Sequence, residues 1–256
     1  MILLLGGTAD TAPLATLLAE AGYEVLVSTA TGIPLAAGDH HRISRREGPL
    51  DKDSLAALAA ERKISAIVDA AHPYAEAAHA NARAAAASAG IPYFAYLRPA
   101  VISPDGDMIA ASNHEDAARL AFSLGRPVLL TTGSRNLLSY AVAANQSGIR
   151  LVVRVLDAPE SLRACHAAGI PPGNIIIGRG PFSLAENIQI IREFAIGVLV
   201  TKDSGEAGGV RAKREAARRE GCTLVVVNRP EAPPEDAFNN FDNLLAALRE
   251  RVLPAD

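Results

Sequence analysis

Short apolar runs, each closed by a turn and followed by a segment with apolar residues at helical spacing, recur along this chain and leave few ways to fold it. ILLL at 2–5 precedes Leu14, Leu17 and Leu18, which share one helix face before Gly22. YEVLVST at 23–29 is a second strand, a helix is expected over about 52–61, and SAIVDAA at 65–71 is a third strand. An alanine-rich helix over 74–89 and a strand at 92–96 follow, separated by Gly90-Ile-Pro. Strand and helix in alternation imply a parallel sheet with right-handed crossovers.

The pattern loosens through PAVISPDGD at 99–107, the best candidate for a domain edge. Ser112-Asn-His-Glu115 reads as a capping box that opens a helix ending near Gly125. A second series begins with RPVLLTTGS at 126–134 and continues with strands near 151–156, 174–178, 197–201 and 223–228. The 256 residues therefore divide into two α/β halves, 1–100 and 101–256, and a cleft between them is the default ligand site.

Composition narrows the function classes. Apolar residues make up 49% of the chain and charged residues 21%, the profile of a packed core rather than disorder. A net charge of −3 provides no global field for nucleic acid, so any anion site must be local. Cys165 and Cys222 stand far apart, which suggests neither a disulfide framework nor a zinc site and fits a reducing cytoplasm. The run at 2–5 lacks a basic flank, and no segment approaches the roughly 18 apolar residues of a membrane span, so neither export nor a membrane is expected. His40, His41, His79, His114 and His166 show no metal-ligand spacing, and His72 and His79 read as facing different sides of one helix.

Candidate site residues gather where strands end. Gly6, Gly7 and Thr8 follow the first strand, where backbone N–H groups and a helix start can hold a pyrophosphate; a tight turn without ligand is the alternative. The second strand ends in Ser28-Thr29-Ala30-Thr31, hydroxyls where an NAD site usually carries a carboxylate. With Arg42, Arg45 and Arg46 downstream this leans toward the 2′-phosphate of NADP, against a solvated basic loop. Asp69-Ala-Ala-His72-Pro-Tyr74 closes the third strand, so His72 and Tyr74 stand at a helix entrance, as proton donors or as a cap.

In the second half Gly133-Ser134-Arg135 repeats the strand, glycine turn and helix start, with a guanidinium suited to carboxylate or phosphate. Arg154 and Arg179 follow at equivalent strand ends, and three such cations favour an anionic ligand. The segment Thr201-Lys202-Asp203-Ser204-Gly205, with Gly208-Gly209 and a helix carrying Lys213, reads as a binding loop. Ser183 and Glu186 read as a structural capping box. No Tyr-x-x-x-Lys occurs, which disfavours a short-chain reductase. A non-catalytic nucleotide sensor would leave the second-half cations unexplained.

Taken in order, LLLGGTAD, VSTATG, DAAHPYA, GIPYFAYLRP, TTGSRNL, RVL, GPFSLAEN, VTKDSGEAGG and VVVNRP resemble the precorrin-6A reductase family of cobalamin biosynthesis over nearly the whole chain. The resemblance implies two Rossmann-like parallel-sheet α/β domains with an inter-domain cleft, residues 1–100 holding NADP and 101–256 completing the cofactor and substrate sites. It implies NADPH-dependent reduction of one double bond of precorrin-6A to give precorrin-6B, with cobalt-precorrin-6A and NADH as the alternative pair. Gly6, Gly7, Thr8, Ser28, Thr29, Ala30 and Thr31, with Gly133, Ser134 and Arg135, are then cofactor contacts. Arg154, Arg179, Lys202, Ser204 and Gly205 meet the substrate, whose acetate and propionate carboxylates suit cations. His72, Tyr74 and Asp203 are the candidate proton donors, no metal is expected, and the partners are the tetrapyrrole and, for hand-over, other enzymes of the pathway. Ala71 stands where the family pattern leads one to expect threonine and is given no polar role.

Overall fold

The computed structural model describes residues 1–30, 37–98, 108–203, 208–229 and 237–254. The chain forms two compact units, Met1–Pro99 with Pro230–Asp256, and Ala100–Arg229.

The first unit contains β1 (Ile2–Leu5), α1 (Thr11–Glu20), β2 (Val25–Thr29), β3 (Ile43–Glu47), α2 (Lys52–Glu61), β4 (Ala66–Asp69), α3 (Glu76–Ala89) and β5 (Tyr93–Tyr96). The second contains β6 (Met108–Ala111), α4 (His114–Ser123), β7 (Val128–Leu130), α5 (Leu137–Ser147), β8 (Leu151–Val155), α6 (Pro159–Ala167), β9 (Ile175–Ile177), α7 (Leu184–Glu193), β10 (Val198–Lys202), α8 (Val210–Arg219) and β11 (Thr223–Val227). The chain then returns to the first unit with β12 (Ala237–Phe238) and α9 (Phe241–Arg251).

Each unit holds a six-stranded sheet, in the orders β12-β5-β4-β1-β2-β3 and β6-β11-β10-β7-β8-β9. The strand pairs are parallel throughout. The two α/β sheets expected from the sequence are thus present. They share one winding order, and only the strand beside β5 or β11 comes from a different place in the chain.

The first strand shows why such runs must be apolar throughout. Successive side chains of a strand point to opposite faces. Ile2 and Leu4 pack with Leu14 and Leu18 of α1 and with Leu244, Leu245 and Leu248 of α9. Leu3 and Leu5 pack on the other face with Leu55 and Ala59 of α2 and Ala82, Ala85 and Ala86 of α3. With both faces covered, each such side chain contributes about 1.5–3 kcal/mol of burial. In the second unit, Leu129, Val152, Leu199 and Leu224 meet Ile190, Ile191, Ala216 and Ala217 in the same way.

Several expectations need correction. The segment holding Arg45 and Arg46 is not a loop but β3, an edge strand paired to β2. Its exposed Ser44, Arg45 and Glu47 give no apolar signal, and charge suits an edge that must not pair further. β6 was missed for a similar reason: it is four residues long, next to the expected domain edge at 99–107, which lies outside the described residues. The capping box at 112–115 is displaced by one residue, because Asn113 Oδ1 accepts from the Asp116 N–H at 2.9 Å while the Asp116 carboxylate accepts from the Ser112 N–H at 3.0 Å. The second half does not run on to residue 256, since β12 pairs with β5 and α9 fills the first unit's core. The Ser183 box is as expected, with Ser183 Oγ accepting from the Glu186 N–H at 3.2 Å and Glu186 Oε2 accepting from the Ser183 N–H at 2.7 Å.

In both sheets the chain winds outward on one side and then returns to the other, so the order reverses between β1 and β4 and between β7 and β10. The carboxyl ends of strands at such reversals are where open α/β sheets bind ligands.

Candidate active site

At the first reversal Gly6 runs so close to α1 that a Cβ there would lie 2.5 Å from Thr11 Cγ2. Gly7 has φ +113° and open space where its Cβ would stand. The turn braces itself: Thr11 Oγ1 accepts from the Gly7 N–H at 3.0 Å and from the Thr8 N–H at 3.2 Å. Thr8 is buried, and its Oγ1 donates to the Ala70 carbonyl at 3.4 Å, tying the ends of β1 and β4 together. Asp10 precedes α1 and pairs with the buried Arg98 at 2.6 Å.

At the end of β2, Ser28 and Thr29 are buried and Ala30 is exposed. Arg46, opposite Ser28 in the β2–β3 register, donates through Nη1 to Ser28 Oγ at 2.8 Å and to the Gly48 carbonyl at 2.9 Å, and through Nη2 to the Glu47 carbonyl at 2.9 Å. A guanidinium has five N–H donors, so Nε–H and one Nη2–H are left as a fork of the kind that matches phosphate.

At the end of β4 the Asp69 carboxylate is almost fully buried. Its Oδ1 accepts from the Ala71 N–H at 3.1 Å, and its Oδ2 lies 2.8 Å from both His79 Nδ1 and the Tyr93 hydroxyl. The Tyr74 N–H donates to His72 Nδ1 at 3.3 Å, and the His72 and Tyr74 rings lie 5.7 Å apart.

The second unit gathers cations at its own reversal. Arg154 on β8 is buried, with its guanidinium 3.9 Å above the Phe182 ring and Nη1 donating to Asn187 Oδ1 at 2.9 Å. Burial draws its pKa down to about 10, with Glu186 acting the other way. Lys202, closing β10, is drawn down to about 8 by burial and then by the charge of Arg135. Lys213 on α8 is 7% exposed and donates to the Gly208 carbonyl at 3.0 Å and to Thr201 Oγ1 at 3.5 Å. Burial, then Arg154 and Lys202, bring it down to about 7. Like charges held this close are relieved by losing a proton or by taking up an anion. At the end of β7, Thr132 Oγ1 is buried without a hydrogen-bond partner among the described residues. His114, lowered to about 4 by burial and then by Lys202, is neutral at pH 7, and its Nδ1 lies 2.9 Å from the Tyr140 hydroxyl.

The model of the family described as precorrin-6x reductase CbiJ/CobK matches residues 1–249. The chain belongs to this family. Its similarity to the cobalt-precorrin-6A reductase of Priestia megaterium is 34% identity over 249 residues, covering 97% of this chain and 98% of that one. The precorrin-6A reductase of Rhodococcus erythropolis is also 34% identical, over 252 residues, with 96% and 95% covered. A solved structure titled CobK precorrin-6A reductase superposes with a TM-score of 0.80 at 27% identity, covering 100% of this chain and 99% of that one.

Membership of the precorrin-6x reductase family makes the chain an oxidoreductase of cobalamin biosynthesis that acts on a tetrapyrrole and implies a nicotinamide cofactor. No helix among the described residues is long and apolar enough to cross a membrane. Of the residues singled out in the sequence, Gly6, Gly7, Thr8, Ser28, Thr29 and Ala30 lie along the carboxyl ends of β1 and β2, and His72 and Tyr74 adjoin them after β4. In the second unit Gly133, with φ +88°, and Ser134, whose hydroxyl donates to Ser161 Oγ at 3.4 Å, follow β7. Arg135 and Arg179 are exposed after β7 and β9. Asp203 is engaged by Arg229, which donates through Nε to the Asp203 carbonyl at 2.8 Å and through Nη2 to Oδ1 at 3.3 Å. Thr31, Ser204 and Gly205 lie outside the described residues.

Sequence reasoning gave no site role to His79, Tyr93 or Thr11, and named Lys213 only as part of the helix beside the binding loop. Lys213 carried a signal: with Val210, Ala216 and Ala217 it shares the buried stripe of α8, where a lysine has no structural reason to be. His79 does not turn away from His72. His72 precedes α3, and its carbonyl lies 3.1 Å from His79 Nε2.

Proposed function

We propose that this chain reduces one double bond of precorrin-6A with NADPH, giving precorrin-6B. The substrate reading is carried by the mutually repelling set of Arg154, Lys202 and Lys213 at the carboxyl edge of the second sheet, beside Arg135. A macrocycle bearing several acetate and propionate carboxylates supplies anions suited to such a set. Lys213, drawn down to about 7 and so about half deprotonated near neutrality, regains its proton when a carboxylate arrives, beside Lys202, drawn down to about 8 and still mostly charged, so the site binds its ligand partly by recovering charge.

The cofactor reading rests on the first sheet. The open side of the Gly7 turn leaves room for a pyrophosphate, and the Arg46 fork beside Ser28 suits a 2′-phosphate in a place where a carboxylate would reject one. Since Thr11 Oγ1 holds the Gly7 and Thr8 amides, a phosphate there depends on the start of α1 more than on those two N–H groups. NADPH, when bound, supplies the hydride; the chain orients it and the macrocycle. His72 and Tyr74 are the side chains assigned to bring a proton to the reduced bond.

Anaerobic titration tests this directly. Added precorrin-6A should consume NADPH one for one at the nicotinamide band while the macrocycle spectrum changes, with NADH less effective. Turnover of the cobalt-containing macrocycle alone would move the substrate assignment, and failure to bind either nucleotide would remove the cofactor site. A His72→Ala, Tyr74→Phe pair should slow turnover at saturating NADPH by about a hundredfold, the scale of general-acid catalysis; unchanged turnover clears both residues.

A further inference from the structure

We infer that His79 is a positioning residue: as an imidazolium it clamps the turn that carries His72 and Tyr74 to the end of β4. Its two ring nitrogens meet two acceptors, Asp69 Oδ2 at 2.8 Å from Nδ1 and the His72 carbonyl at 3.1 Å from Nε2. A carbonyl has no proton to give, and the Asp69 carboxylate already accepts from the Ala71 N–H and the Tyr93 hydroxyl. Neutral imidazole carries one N–H, so in either tautomer one nitrogen would present a lone pair to an oxygen lone pair. With Asp69 as the carboxylate, only the doubly protonated ring satisfies both contacts.

The surroundings fit that charge. Asp69 on β4 is 1% exposed and gains a cation at hydrogen-bond distance, the condition on which a carboxylate can be buried. Burial opposes the charge on His79, and the Asp69 hydrogen bond and charge, followed by the His72 carbonyl, outweigh it, so its pKa is raised. Arg83, one turn along α3, acts against it. Tyr93 on β5 donates its hydroxyl proton to the same Asp69 Oδ2 at 2.8 Å, and Arg83 lies 5.8 Å from the Tyr93 ring centre. On the neighbouring α2, the residues packed in the core with α3 are Leu55 and Ala59, which carry no charge.

The clamp has a mechanical target. The His72 carbonyl also accepts from the Ala75 N–H at 2.7 Å, closing a turn whose two inner residues are Pro73 and Tyr74. With His79 protonated, strand end, turn and helix are one hydrogen-bonded piece. As pH rises through the raised pKa, one of the two ring contacts is lost and the turn is released. The consequence for turnover rests on the reductase reading above; the clamp itself does not.

Nitrogen-15 spectra of the intact protein should show both His79 ring nitrogens protonated at pH 6.5, a titration midpoint above that value, and a lower midpoint in Asp69→Asn. Over the same pH range the Ala75 amide should exchange at least tenfold faster than a simple base-catalysed rise predicts. A neutral His79 at pH 6.5, or Ala75 exchange indifferent to its titration, overturns the inference. If the enzyme turns over precorrin-6A, kcat should fall about ten- to a hundredfold across that midpoint with KM for NADPH little changed, the scale of a misplaced group. A His79→Gln variant should lose that alkaline limb, and a limb that persists in it overturns the positioning role. Normal spectra and exchange in a protein that does not reduce the macrocycle would leave the clamp standing and remove the reductase reading.

Discussion

Lys213→Met should make this protein more stable and, in the same step, a poorer binder of a polycarboxylate. The buried ammonium has its pKa lowered from 10.5 to about 7, so the folded state holds this proton less tightly than the unfolded chain does. The penalty is fully present below pH 7, fades as pH rises, and is gone near pH 10.5, where both states are neutral. Methionine fills the same space without the charge and forfeits the hydrogen bond to Gly208, leaving a net gain of about 1–3 kcal/mol near pH 6 that shrinks toward pH 10. Denaturation curves at the two pH values measure it. KM for the macrocycle should rise about ten- to a hundredfold at pH 6–7, the worth of one charge-assisted hydrogen bond. The wild-type KM should itself climb above pH 7–8 as Lys213 and then Lys202 lose their protons. A variant that gains stability but keeps its KM would mean that no carboxylate reaches this lysine.

Arg46→Ala should abolish most of the preference for NADPH over NADH. Three N–H groups of Arg46 hold it in place against Ser28, Gly48 and Glu47, so its free fork is fixed before any ligand arrives. A fixed guanidinium facing a phosphate is worth about 1.5–3 kcal/mol, so the ratio of kcat/KM for the two nucleotides should fall about ten- to a hundredfold, through KM for NADPH. NADH, with no 2′-phosphate to lose, should be nearly unaffected. Arg46→Lys keeps the charge but not the fork and should recover only part of the preference. A ratio that does not move in Arg46→Ala would place the recognition of the 2′-phosphate elsewhere.

What could be seen in the sequence follows from what is local. β1, β2, β4, β5, β7, β8, β10 and β11 announce themselves because a strand buried on both faces must be apolar along its whole length, and the edge strand β9 does so through its run of three isoleucines. The Ser183 box was visible because a cap and its partner lie three residues apart. The edge strand ISRRE was not, since one side of it needs no partner and its charges resemble a loop. Nothing local says that Ala237–Phe238 pairs with β5 rather than with the sheet just completed. The site divides the same way. The strand-end placement of Gly6, Gly7, Ser28 and Lys202 is legible in the sequence. The grip of Thr11 on two amides and the union of Asp69, His79 and Tyr93 come from three-dimensional meetings that no spacing rule anticipates.

The late return of the chain to the first unit orders events during synthesis. The second unit is one unbroken stretch, Ala100–Arg229, whereas the first cannot be completed until Leu244, Leu245 and Leu248 of α9 cover Ile2, Leu4 and Val68, and Tyr23 donates its hydroxyl proton to the Val252 carbonyl at 2.8 Å. A chain emerging from the ribosome at about 5–20 residues per second therefore leaves the part of that face that α9 covers open for roughly 7–30 s while the later half is made. The unit that begins first finishes last, and the nascent chain presents an apolar surface to chaperones throughout that interval.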